Sequence, residues 1–215
     1  EVTTADNPKY QYELIYKRDF LDDEDHDLIF SATGNLFSKD QSSEFFNTTV
    51  LGSDTFDDQQ TRTFFREAEH TFKLDYTRPF GEVWKVEGGF QYANNDVSND
   101  FEVKDDLAGQ WVVNNGLTNV FEFTQAVLGV YGMAAYESDT WGAQLGLRTE
   151  NTKINTLLVN TKESNDQNFT NLFPSFNTSY KFSTNFSLQA GYSKRIYRPR
   201  LWELNPFFNI RNRYN

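Results

Sequence analysis

Polar and apolar residues alternate along most of this chain with a period of two. In Phe186–Tyr192, Phe186, Leu188, Ala190 and Tyr192 share one phase, and Ser187, Gln189 and Gly191 the other. In Trp141–Thr152, Trp141, Ala143, Leu145 and Leu147 oppose Gln144, Arg148, Glu150 and Thr152. Trp84, Val86, Phe90 and Tyr92 oppose Lys85, Glu87 and Gln91, and Phe72, Leu74 and Tyr76 oppose Lys73, Asp75 and Thr77. The pattern recurs less cleanly in Tyr10–Arg18 and Phe176–Phe182, and two further strands are expected around Asp27–Phe37 and Phe123–Tyr136. An amphipathic helix would need apolar residues at i, i+3, i+4 and i+7. These segments repeat at i, i+2 and i+4, so they are strands.

The connections fall into two kinds. Short ones are expected near residues 21–25, 78–81, 137–140 and 183–185, and long polar ones near 38–62, 93–120 and 151–171. Short and long alternate, as the periplasmic turns and extracellular loops of an outer-membrane barrel do. Tyr16, Phe80, Trp84, Tyr136, Trp141, Phe182 and Phe186 cluster near the short turns, where a membrane–water interface favours aromatic rings.

Composition supports a thin wall rather than a thick core. Aromatic residues make up 17% of the chain, yet only 38% is hydrophobic and the mean hydropathy is −0.68. A wall one residue thick, with lipid on one side and water on the other, fits that combination; a disordered chain would be poor in rings. No run approaches the roughly 18 apolar residues of a membrane helix. The expectation is an all-β fold: an antiparallel meander of about eight long strands, forming a segment of a large transmembrane β-barrel in a bacterial outer membrane. Residues 1–215 would be one partial barrel domain. Trp84, Val86, Phe90, Leu145, Leu147, Leu188 and Tyr192 are expected to face lipid. Glu1 is followed by no signal peptide and 205–215 finishes no strand, so both ends read as processed or cut.

The formal net charge is −11 and there is no cysteine. Acidity argues against nucleic acid as a partner, and the lack of thiols removes disulfides and thiolate metal sites.

Three segments carry a family resemblance. Asn171–Tyr180 contains Leu172-Phe173-Pro174-Ser175, Tyr192–Pro199 contains Arg195, Ile196, Arg198 and Pro199, and Leu204-Asn205-Pro206-Phe207 follows. With Gly146-Leu147-Arg148-Thr149-Glu150, these segments resemble TonB-dependent receptor-like barrels of the Bacteroidetes type. The resemblance implies a plugged barrel of about 22 strands that takes up a scarce nutrient with energy from an inner-membrane complex. Implied partners are outer-membrane lipids and lipopolysaccharide and, in the full-length protein, a plug domain and the TonB complex. The ligand is not specified. This sequence contains neither a plug nor an energy-coupling segment. Independently of the resemblance, Pro199 should mark a strand end, since proline cannot donate to a ladder. Arg195, Arg198 and Arg200 would face the lumen or rim.

No catalytic, cofactor or metal site is expected, and the chain is not read as an enzyme. Asp22, Asp23, Glu24, Asp25 and Asp27 surround His26, but the glycine and late glutamate of a calcium loop are missing. This cluster reads as a solvated turn. His26 and His70, the only histidines, are far apart in sequence. There is no G-x-S-x-G elbow and no phosphate loop. Two other architectures compete. A closed eight-stranded barrel could serve as an adhesin or structural anchor, although Ser175, Ser179, Ser187 and Gly191 are small for a filled lumen. A soluble β-sandwich could bind carbohydrate through surface aromatics.

Overall fold

The computed structural model describes residues 1–20, 25–48 and 57–197. Its ten strands are β1 (Val2–Asp6), β2 (Lys9–Asp19), β3 (Asp27–Phe45), β4 (Gln59–Phe80), β5 (Trp84–Leu107), β6 (Gln110–Val113), β7 (Asn119–Glu137), β8 (Trp141–Leu158), β9 (Glu163–Ser183) and β10 (Phe186–Ser193). All belong to one antiparallel sheet in the order β1-β3-β4-β5-β7-β8-β9-β10, with β2 paired to β3 and β6 to β5. The chain therefore forms the expected all-β meander.

β1 and β2 both pair with β3 and are separated only at Asn7 and Pro8, so they act as one interrupted strand. Proline has no N–H to offer at that point, but its carbonyl accepts from Ser38 N at 3.1 Å. β6 extends β5 as a hairpin across Ala108 and Gly109, at φ of 58° and 83°. Two positive φ values in a two-residue loop match the turn type whose twist suits a hairpin.

The two faces of the sheet differ. In antiparallel pairing, directly opposed residues share a face, so the registers sort every side chain. The outer face holds Leu14, Phe30, Leu74, Phe90, Val130, Leu147 and Phe176, and the inner face holds Lys73, Gln91, Arg148 and Asn177. Outer residues on β4 and β5 are mostly more exposed than their inner neighbours. A curved sheet produces this, because side chains splay on the convex side and converge on the concave side. The row through Phe80, Trp84 and Tyr136 continues to Ala143 and Thr178. The later short turns lie beyond that row, so the strands are staggered, as a tilted barrel wall requires.

The strands are longer than the alternation suggested. β3, β4, β5, β8 and β9 run through much of the expected long loops 38–62, 93–120 and 151–171, leaving connections of 46–58 and 159–162 and, on either side of β6, 108–109 and 114–118. The reason is a reversal of phase. On β5 the outer set passes from Trp84, Val86, Phe90 and Tyr92 to Asn94, Asp96, Ser98 and Asp100. Over the same span the inner set passes from Lys85, Glu87 and Gln91 to Val97, Phe101 and Val103. β7 does the same, with outer Thr124 and Glu122 against inner Phe123 and Phe121. Val97, Phe121, Phe123 and Ile154 form a buried cluster, with Phe65, Leu158 and Phe169 packed against it. The upper wall thus has its apolar side inward. This inward core and the unbroken ladder hold segments that read as polar loops.

β2 and β10 form the two lateral edges, and no ladder joins them among the described residues. The sheet is an open wall. Nor does it divide into two packed layers, as a β-sandwich would.

Candidate functional site

The lower half of the outer face is a continuous apolar band. From the short turns upward it contains no charged side chain on β3 through Leu36, on β5 through Asn94, on β7 from Tyr136 to Ala126, or on β8 from Trp141 to Asn151. Trp84, Val86, Phe90, Leu145, Leu147, Leu188 and Tyr192 all lie on this face and are exposed, with Leu145 at 62%. Along β5 the band spans Trp84–Tyr92, which at ~3.3 Å per residue is about 26 Å of strand. With the usual barrel tilt that is about 20 Å of height, near the ~25 Å apolar band of outer-membrane barrels.

Rings edge the band at the short turns. Trp84 lies 5.0 Å from Tyr136, Tyr136 5.5 Å from Trp141, Tyr180 4.7 Å from Phe182, and Phe182 5.2 Å from Phe186.

At the same level the inner face carries a paired ionic network. One register row holds Lys73, Gln91, Gly129, Glu150 and Asn171; the next holds Asp75, Gly89, Tyr131, Arg148 and Phe173. Arg148 Nε donates to Glu150 at 2.6 Å, and another guanidinium nitrogen donates to Gln91 at 3.3 Å. Lys73 pairs with Asp75 at 2.7 Å, and the Tyr131 hydroxyl donates to Asp75. Two cations meet two carboxylates, so the network is neutral.

Glycines make room for it. A Cβ on Gly129 would meet the Arg148 guanidinium, and one on Gly89 would meet the Leu74 carbonyl and the Tyr131 ring. Gly89→Ala should therefore displace Tyr131 and cost about 1–3 kcal/mol. Urea unfolding in vesicles, compared with Gly88→Ala, whose Cβ meets nothing closer than 3.6 Å, would measure it.

Above the ionic rows lie amides. Asn35 donates to Glu69 and Asn95 to Glu67, each at 3.3 Å. Asn35 Oδ1, Asn95 Oδ1, Gln125 Nε2 and Thr152 Oγ1, and in the upper ionic row Asn171 Nδ2, are buried without a partner within the wall.

Beyond the apolar band, on the outer face of β3, Asp40 is held below the usual carboxylate range by its hydrogen bonds to Arg62 at 2.8 and 3.0 Å.

The motif residues separate by face. Phe173 and Ser175 point inward, opposite Arg148 and Gly146, while Pro174 points outward opposite Leu147. The Pro174 carbonyl accepts from Lys194 N at 3.2 Å. In a strand a residue's N–H and C=O point the same way, so the missing donor faces the end of β10 and β8 loses no ladder bond. Arg195 is exposed beyond β10 and makes no ion pair among the described residues. Arg198, Pro199, Arg200, Leu204, Asn205, Pro206 and Phe207 lie outside the described residues, as do Asp22, Asp23 and Glu24. His26 is structural in its contacts: it stacks on Phe20 at 4.2 Å and bonds the Tyr76 hydroxyl at 2.8 Å. His70 accepts or donates with Tyr12 at 2.9 Å on the outer face. No group of His, Asp or Glu arranged to hold a metal occurs among the described residues.

The inward aromatic cluster and the amide row were missed by sequence reasoning. Their signal was present as the alternation in Val97, Asn99, Phe101, Val103, carried in the phase opposite to that of Trp84 and Val86.

The model of the outer membrane protein beta-barrel family matches residues 19–215. Among solved structures, the ferric citrate transporter FecA in its unliganded form is similar over 86% of this chain, with a TM-score of 0.63 and 12% identity. The ferric yersiniabactin uptake receptor FyuA from Yersinia pestis is similar over 85%, with a TM-score of 0.53 and 10% identity. In each case the match covers 27% of the other chain. At these identities the likeness is one of fold. No curated protein matches the sequence.

Proposed function

From the premise that this chain belongs to the outer membrane protein beta-barrel family and sits in the bacterial outer membrane, we propose that it forms part of the barrel wall of a TonB-dependent receptor-like transporter that takes up a scarce nutrient. The observation that carries this reading is a single-layered wall with an uncharged apolar band outside and an ion-paired, amide-rich face inside. Lipid, including lipopolysaccharide on the outer leaflet, covers the band. The fold likeness to two iron-complex transporters supports a large barrel, and each of those chains is several times longer than the matched part.

A plug domain in the full-length protein fits the inner face. Buried polar atoms without partners cost about 1–3 kcal/mol each, and a polar filling of the lumen would relieve that cost for Asn35, Asn95, Gln125 and Asn171. Closure of this chain alone into a small barrel would require β2 to pair with β10, which the described residues do not do. In the full-length protein, further strands continue from those edges.

Uptake assays test the function. Cells lacking the gene should lose accumulation of one labelled nutrient class, and collapsing the proton-motive force should abolish that accumulation in cells that keep it. Uptake that survives the collapse would rule out the energy-coupled reading.

A further inference from the structure

Four cations point outward at the margins of the apolar band, and none makes an ion pair among the described residues. Arg18 and Arg78 lie near the short turns, and Arg66 and Lys153 lie where the outer face turns polar. By contrast, Lys17, Lys73, Lys85, Arg62, Lys104 and Arg148 all pair with carboxylates.

The three arginines share one arrangement. Each guanidinium lies over a phenylalanine two residues along the chain: Arg18 over Phe20, just past the end of β2, at 4.9 Å, Arg78 over Phe80 at 5.1 Å and Arg66 over Phe64 at 5.2 Å. Stacking holds the plane of the guanidinium but leaves its in-plane N–H donors unused. Those donors fit phosphate oxygens in a fork. A carboxylate partner would have consumed them, as Glu150 does for Arg148.

The spacing between the tiers matches a bilayer. Arg78 and Arg66 are twelve residues apart on β4, about 40 Å along the strand and about 30 Å along the membrane normal at the usual tilt. Lys153 is likewise twelve residues above Trp141 on β8. Between the tiers the outer face of β4 carries only Ala68, His70, Phe72, Leu74 and Tyr76. The cations therefore stand just outside the hydrocarbon on either side.

We propose that these two tiers are binding sites for the phosphate groups of membrane lipids: Arg18 and Arg78 for phospholipid phosphate in the periplasmic leaflet, and Arg66 with Lys153 for lipopolysaccharide phosphate in the outer leaflet. The proposal rests on the barrel reading above and adds the headgroup chemistry and the residues that take it.

The test uses the full-length protein in vesicles. Trp84 and Trp141 lie beside the lower tier, so phosphatidylglycerol with brominated chains should quench their fluorescence more than a brominated galactosyl diacylglycerol, which has no phosphate. Each lost cation should weaken that preference about fivefold; Arg18→Gln with Arg78→Gln should remove it, and Arg78→Lys should keep part of it. For the upper tier, native mass spectrometry should show lipid A retained by the parent protein and lost from Arg66→Gln with Lys153→Gln. Quenching by both lipids with no preference, or a preference unchanged in the glutamine variants, would overturn the proposal while leaving the barrel intact. Absence of quenching by either lipid would instead overturn the barrel reading. Free inorganic phosphate should not displace the lipid; displacement at millimolar concentration would reassign the sites to soluble anions.

Discussion

Leu147→Arg should destabilise the inserted wall by about 2–4 kcal/mol, the cost of a cation near the bilayer midplane on the lipid side of a barrel. Leu147 lies on the outer face of β8, between Trp141 at the rim and Lys153 at the polar margin. The penalty should fall with distance from the midplane: smaller at Leu145, which lies closer to the rim, and smaller still at Trp141. Urea unfolding in phospholipid vesicles would read that gradient. Equal and small effects at all three positions would mean that water, not lipid, covers the face.

A second substitution probes the opposite solvent arrangement on the same sheet. Phe123→Ala should cost about 3–5 kcal/mol, because Phe123 is 3% exposed within the inward cluster. Its outer neighbours Glu122 and Thr124 should tolerate alanine within about 0.5 kcal/mol, as exposed positions do. In the lower wall the ranking inverts. There Leu128, outward and 46% exposed, faces lipid in our reading. Its truncation loses lipid contact but opens no protein cavity, so Leu128→Ala should cost less than Phe123→Ala. The same unfolding assay, run with and without vesicles, separates the two: the Phe123 effect should persist in detergent.

The lower wall was legible in the sequence because one rule governs it. Trp84, Val86, Phe90 and Tyr92 alternate with Lys85, Glu87 and Gln91, and the short turns interrupt the pattern sharply at Gly81 and Ser138–Thr140. The upper wall was not, because the rule reverses there. Asn94, Asp96, Ser98 and Asp100 read as loop, since their alternate partners Val97, Phe101 and Val103 occupy the phase that holds Lys85 and Glu87 lower down. The β8–β9 segment Asn151–Asn171 was hidden in a different way. It is rich in Asn and Thr, whose side chains bond their own backbone in turns, yet its residues are held by ladders on both sides or by Ile154 and Phe169 facing inward. Arg148 and Glu150 were visible as the polar phase of a strand. Their partners Gln91, Tyr131 and Asp75 were not, since only register brings residues from four strands together.

The continued ladder sets how far the wall stands beyond the apolar band. β5 runs from Asn94 to Leu107 beyond the level at which its outer face turns polar, about 43 Å along the strand and some 30 Å in height once tilted. The β5–β6 turn at Ala108 and Gly109 is therefore carried on a stiff collar well beyond the apolar band. Under the transporter reading proposed above, an incoming solute would meet this paired collar before the lipid surface. Proteases approaching from the same side meet paired strands along most of that distance, so cleavage in intact cells should concentrate at the collar's top.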